Sequence, residues 1–190
     1  MTKILVETSG RHVHLSQDHL EKLFGPGYQL SKLRDLSQPT EFAAKEQLII
    51  KTDKNSFNNV RVVSPVRAQT QVEISQTDAN FLGLTPPIRR SGDLAGSARC
   101  ILIGPRGQVE LEEGVIVGRR HIHLNPRSLS NFGLIDGQTV SVKINHPERG
   151  LVFNNVDLRI DEDFALAMHI DTDEANAAGI DKTAEGEIII

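Results

Sequence analysis

The sequence is written twice, and that duplication constrains the fold more than any other feature. Gly10-Arg11-His12-Val13-His14-Leu15-Ser16 returns 109 residues later as Arg119-Arg120-His121-Ile122-His123-Leu124-Asn125. Asn59-Val60-Arg61, the block from Gln71 to Asn80 and Gly83 return 96 residues later as Asn155-Val156-Asp157, the block from Ala167 to Asn176 and Gly179. Two collinear matches in the same order are not chance. The chain is therefore built from two related units, the first carrying 13 more residues between its blocks.

Each copy runs through the same elements. The His-x-His segment reads as a short strand followed by a helix start: Ser16 caps Gln17 to Phe24, and Asn125 caps a helix with Pro126 at its first position. Short alternating segments follow at Asn59 to Val63, Gln71 to Ser75, Val156 to Ile160 and Ala165 to Ile170. Each copy closes on a helix, Asp78 to Leu82 and Glu174 to Ala178, stopped by Gly83 or Gly179 in a left-handed C-cap. Aromatic residues make up 4% of the chain and Trp is absent, so the core must rest on Val, Ile and Leu. Gly-Pro punctuation between short strands completes a mainly β pattern with short helices: two small β-barrel domains related by the internal repeat. The expected division is about 1–90 for the first repeat unit and about 108–190 for the second, with 91–107 as the crossing. The repeat units need not coincide with the physical barrels, since a chain can cross between them. The tail Gly186 to Ile190 reads as a last edge strand or a sticky terminus.

Charge and cysteine content exclude several classes. A net charge of -4 argues against a nucleic-acid surface. One cysteine, Cys100, forms no internal disulfide, and its apolar run Cys100-Ile101-Leu102-Ile103 reads as core rather than nucleophile. No apolar stretch approaches the ~20 residues of a membrane span, and the N-terminus is too short before Glu7 for a signal peptide. The expectation is a cytoplasmic chain.

Four of the seven histidines form the two His-x-His pairs. In a strand, residues i and i+2 share a face about 6.6 Å apart, so two imidazoles there can converge on one ion. A lone pair of this kind reads equally well as two half-buried surface histidines. The duplication shifts the balance, because it superposes Glu73 on His169, each between apolar neighbours and costly to bury unless paired or coordinated. His12, His14, Glu73, His121, His123 and His169 are thus the candidate ligands. They are too many for one tetrahedral zinc and suit two ions with open positions, the catalytic pattern. Zinc is the first expectation, with cobalt, nickel or iron also compatible. Two cations need an anionic partner. A strand bend would bring the Arg67 fork to the site for bidentate contact with phosphate, against the alternative of a surface arginine. His19 and His146 read as solvated.

At this point the chain resembles a known family. Arg11 to Ser16, Asp35-Leu36-Ser37-Gln38-Pro39, Thr70 to Ser75, Arg90-Ser91-Gly92-Asp93-Leu94, Arg120 to His123 and Met168 to Asn176 together are similar to the PduL-type phosphotransacylases, or phosphate propanoyltransferases, over nearly the whole length. The resemblance implies exchange of the acyl group of a short-chain acyl-CoA with inorganic phosphate, giving acyl phosphate and coenzyme A. It also implies two β-barrels, two zinc ions per chain and a homodimer or higher oligomer. It places His12 and His14 on one zinc and Glu73, His121, His123 and His169 on the other. Arg67 and Ser91 fall to phosphate, and Thr8, Ser9, Arg34, Lys54, Arg61 and Asn176 to coenzyme A. The stretch Glu7-Thr8-Ser9-Gly10 departs from the usual Gly-Val-Ser-x. With eleven residues before His12, the expectation is an enzyme free of microcompartment packaging. Two rival classes are a metal-dependent acyl-CoA hydrolase and a non-catalytic metal-binding or sensor module.

Overall fold

A computed structural model describes residues 2–189, so Met1 and Ile190 lie outside the described residues. The chain runs β1 (Thr2–Thr8), β2 (His12–His14), α1 (Gln17–Phe24), β3 (Lys32–Asp35), β4 (Phe42–Lys51), β5 (Ser56–Val63), β6 (Gln71–Ile74), α2 (Gln76–Leu82), β7 (Ile88–Arg89) and β8 (Ala98–Ile103). It continues through β9 (Gln108–Gly118), β10 (His121–Leu124), α3 (Pro126–Asn131), β11 (Thr139–Ile144), β12 (Leu151–Ile160), β13 (Ala167–Ile170), α4 (Thr172–Ala178) and β14 (Thr183–Ile189). The helices at Gln76 and Thr172 begin two residues before the expected starts. Ser75 and Asp171 are the caps, each in a reciprocal capping box with Asp78 or Glu174. Gly83 and Gly179 stop both helices in the left-handed conformation, at φ 72° and 69°.

Two compact units result, each holding a closed barrel of six strands. Unit 1 comprises Met1–Gly10, Ser37–Pro39 and Arg119–Ile190; unit 2 comprises Arg11–Leu36 and Thr40–Gly118. In unit 1 the ring runs β1, β13, β10, β12, β11, β14 and back to β1. In unit 2 it runs β9, β6, β2, β5, β4, β8 and back to β9, with β3 and β7 as short additions on β4 and β9. The first strand of each copy therefore completes the barrel of the other. β1 lies parallel to β13 and antiparallel to β14, and its counterpart β9 lies parallel to β6 and antiparallel to β8. Consequently the units do not follow 1–90 and 108–190. β8 belongs to unit 2, and the chain passes between units at Gly10–Arg11, Leu36–Ser37, Pro39–Thr40 and Gly118–Arg119. A repeat reports the order of elements, not which copy's sheet a strand joins. The C-terminal strand is likewise no edge: β14 pairs with both β1 and β11 and closes its barrel.

The barrels share a distortion. Asn59 and Asn155 have φ of 57° and 54°, at register shifts between β4 and β5 and between β11 and β12. Asn tolerates this left-handed conformation, and each bulge bends its long strand. The interiors are aliphatic as the composition required. Leu15, Leu20, Leu48, Ile50, Leu82 and Leu102 anchor unit 2, and Ile122, Leu124, Val142, Ile144 and Met168 anchor unit 1, all at 2% exposure or less. Each such side chain contributes about 1.5–3 kcal/mol of burial free energy.

Candidate metal centres

Strand register builds a row of functional side chains across each barrel wall. In unit 2, Ile116 on β9 faces Glu73 on β6, which faces His12 on β2, which faces Arg61 on β5. In unit 1, Glu7 on β1 faces His169 on β13, which faces His121 on β10, which faces Asp157 on β12. Directly paired residues on neighbouring strands share a face, with Cβ atoms about 4.5–5.5 Å apart. The third candidate ligand of each copy thus stands beside the first histidine of its pair. The second histidine, His14 or His123, is the buried one, at 2% and 6% exposure.

In unit 2 the donor atoms of His12, His14 and Glu73 lie within 4.8 Å of one another. His12 Nε2 stands 3.8 Å from Glu73 Oε1. The resemblance grouped Glu73 with the other three histidines; its carboxylate stands here with His12 and His14. His14 Nδ1 is 3.1 Å from the Val63 carbonyl. A carbonyl only accepts, so Nδ1 carries the proton and Nε2 presents its lone pair, the orientation a metal ligand needs. Glu73 is held by the Gln71 amide, which also donates to Ser91 Oγ at 2.8 Å and accepts from the Gly92 N–H at 2.6 Å. Arg67 Nη1 donates to the same Ser91 Oγ at 2.6 Å, and Nη2 pairs loosely with Glu41 at 3.5 Å. Arg67, Ser91, Gln71 and Glu73 therefore form one polar chain. Sequence reasoning missed Gln71 and Glu41; the position of Gln71 two residues before Glu73, on the same strand face, was the available signal for the first.

In unit 1 the rings of His121, His123 and His169 cluster, with centroid separations of 4.6 Å (121–123), 4.9 Å (123–169) and 5.5 Å (121–169). His121 Nδ1 lies 2.8 Å from the Arg119 carbonyl, which fixes its tautomer as Val63 fixes that of His14. The donor chemistry of both sets, imidazole with carboxylate in unit 2 and three imidazoles in unit 1, fits zinc. A repeated clamp supports each His-x-His strand from behind. Arg11 makes a bidentate pair with Asp78 at 2.6 and 3.1 Å and lies over the Phe57 ring. Arg120 pairs with Glu174 at 2.6 Å and lies over Phe153. Burial pushes the Glu174 carboxyl above the ordinary value, with Arg120 opposing.

The residues expected at coenzyme A have these positions. In unit 1, the Thr8 and Ser9 amides bond the Lys182 and Ile170 carbonyls, and Asn176 lies in α4. In unit 2, Arg34 is exposed on β3, Lys54 reaches the Asn80 carbonyl at 3.3 Å, and Arg61 donates to the carbonyls of Ala44 and Lys45. His19 is not solvated as expected. It is half-buried, with Nδ1 2.8 Å from Thr70 Oγ1, and burial lowers its pKa. His146 is also half-buried and accepts from the Glu148 and Arg149 amides. Cys100 is buried, its thiol pushed up to about 12, so it offers no thiolate at neutral pH. Among the described residues, no helix is long and apolar enough to cross a membrane.

Twin six-stranded barrels with a His-x-His strand and a third candidate ligand beside it in each define a duplicated double-barrel protein bearing candidate metal centres. Residues 5–181 match the phosphate propanoyltransferase family. The chain is 50% identical over 175 residues to a phosphate propanoyltransferase of Thermotoga maritima, covering 92% of this chain and 83% of that one. It is 47% identical over 188 residues to one of Listeria monocytogenes (99% and 88%) and 46% identical over 173 residues to one of Salmonella typhimurium (91% and 82%). The chain belongs to this family of phosphate acyltransferase enzymes.

Proposed function

We propose that the chain exchanges the acyl group of a short-chain acyl-CoA, propanoyl-CoA or acetyl-CoA, with inorganic phosphate, using two zinc ions. One ion is assigned to His12, His14 and Glu73, the other to His121, His123 and His169. The observation that carries this reading is the conjunction of a family match over residues 5–181 with convergent donor atoms in unit 2 and clustered imidazole rings in unit 1. Bound zinc supplies Lewis acidity towards a carbonyl or phosphoryl oxygen and an acceptor for thiolate.

The protein's own groups account for the rest. A phosphate dianion displaces Glu41 from Arg67, whose fork then holds two phosphate oxygens while Ser91 fixes the guanidinium. Held there, a phosphate oxygen forms a bond to the acyl carbon, the carbon–sulfur bond breaks, and the sulfur leaves as the thiolate of coenzyme A, which takes a proton from solvent. Orientation of the two reactants contributes several kcal/mol of the barrier reduction. No acyl-enzyme is required, and the buried Cys100 with its raised pKa is unsuited to one.

The test is thiol release from acetyl-, propanoyl- and butanoyl-CoA, with and without phosphate, on metal-analysed protein. Release should require phosphate and yield acyl phosphate stoichiometrically. Equal release without phosphate would replace this reading with a hydrolase, and no release with bound metal would leave a sensor.

A further inference from the structure

The three-histidine cluster of unit 1 has a neighbour with no role in the reading above. Glu7 lies on β1, directly opposite His169, which is directly opposite His121, so the three occupy one row of the barrel wall. Glu7 Oε2 stands 3.8 Å from His169 Nε2, with 23% and 18% of the two side chains exposed. That separation exceeds hydrogen-bonding reach. It lies inside the ~4.4 Å that two donors bonded at ~2.2 Å to a common ion can span. It also equals the 3.8 Å between His12 Nε2 and Glu73 Oε1 in unit 2, where the carboxylate is a candidate ligand.

The repeat shows that the barrel itself does not call for an acid there. The equivalent position in unit 2 is Ile116, which faces Glu73 as Glu7 faces His169, and it is fully buried. A carboxylate at this place, between buried Val6 and part-buried Thr8, loses hydration that an apolar residue would not miss. A cation held by the adjacent imidazoles offsets that loss. Among the described residues, no Lys or Arg pairs with Glu7 to do so instead.

We infer that Glu7 is a fourth protein donor at the unit 1 centre, making it a three-histidine, one-carboxylate set. This rests on the reading of unit 1 as a metal centre. The carboxylate adds one negative charge to three neutral ligands, which tightens binding of a divalent ion. It also makes the two centres unlike: two imidazoles and a carboxylate in unit 2, three imidazoles and a carboxylate in unit 1. The strand exchange is what makes this possible, because β1 is drawn from the other copy of the repeat.

The experiment titrates metal-free wild type, Glu7→Gln, Glu7→Gly and His123→Ala with zinc against a chromophoric chelator, and records the ligand-field spectrum of each after cobalt loading. Unfolding of the metal-free forms checks that all four are folded. Wild type should take two zinc ions, and His123→Ala should lose one. Both Glu7 variants should show one site weakened by about tenfold or more with an altered cobalt spectrum. If His123→Ala loses a site while both Glu7 variants reproduce the wild-type titration and spectrum, Glu7 is no ligand and the inference falls alone. If His123→Ala titrates like wild type, the metal reading of unit 1 falls with it.

Discussion

Glu73 shows how much a single side chain depends on what surrounds it. Its carboxylate is held by the Gln71 amide on one side, and the backbone of β9 passes it closely on the other. A Cβ on Gly118 would lie 2.8 Å from Glu73 Oε2, although the Gly118 backbone itself is not left-handed. Glycine is needed there for room, not for conformation. Gly118→Ala should therefore push the carboxylate out of line, weakening zinc at the unit 2 centre by about tenfold. Barrel stability should change by less than about 1 kcal/mol, because only a side-chain tip must move. Chelator competition and urea unfolding measure the two effects; unchanged zinc affinity would show that Glu73 is not a ligand or that it has room to spare. The candidate ligands were legible in the sequence as types and spacings, since His-x-His repeats and the Glu73/His169 substitution are visible without coordinates. Gln71 left a signal in its spacing of two from Glu73 that went unread, and Gly118 left none, because its importance lies in a distance to one carboxylate that the spacing does not encode.

At the scale of elements, α1 is tied to the front of β6 by a small polar network. Ser16 caps the helix and accepts from the His19 amide, the Ser16 amide donates to Thr70 Oγ1, and His19 Nδ1 meets the same hydroxyl. The His19 pKa is lowered, mainly by burial and further by Lys22, with Asp18 opposing. The unfolded chain then binds more protons than the folded one just below pH 6.5. Stability should be complete above that pH and fall as pH drops through the folded pKa. His19→Asn keeps a donor near Nδ1 but cannot take up a proton, so urea unfolding at pH 7.5, 6.5 and 5.5 should show a flatter decline than wild type. Parallel curves would mean that His19 does not contribute. The start of α1 and the glycine stops of α2 and α4 were read correctly from the sequence, since caps act over three or four residues, whereas α2 and α4 begin two residues earlier than expected, at caps Ser75 and Asp171. The histidine's burial was missed because Thr70 is 51 positions away and only strand pairing brings it close.

For the whole molecule, the consequential fact is that the copies exchange their first strands. The first and last strands, β1 and β14, are thereby built into one barrel, pairing along six positions. The candidate centres lie on β2 and β6 in unit 2 and on β10 and β13 in unit 1, strands that belong to those closed rings. Metal bound there stabilises only the folded state. Free zinc at 100 times its dissociation constant adds about 2.7 kcal/mol per site. For a chain of this length that corresponds to roughly 5–10 °C in the unfolding midpoint for each site. Calorimetry before and after chelation should show this loss, recovered on adding zinc; an unmoved midpoint would count against both centres. The sequence by itself determined the duplication, the mainly β double-barrel class, the Ser16 and Asn125 caps, the Gly83 and Gly179 stops, the set of candidate ligands and the family. The family rests on resemblance across the quoted motifs; the others are written in local periodicity or in the repeat. Only the tertiary structure decided that β1 and β9 trade places, that Glu73 stands with His12 and His14, and that Glu7 faces His169. The reason is physical: alternation and capping act between near neighbours, whereas the partners of a barrel strand are chosen by closure of the ring, across separations such as the 162 residues from Glu7 to His169.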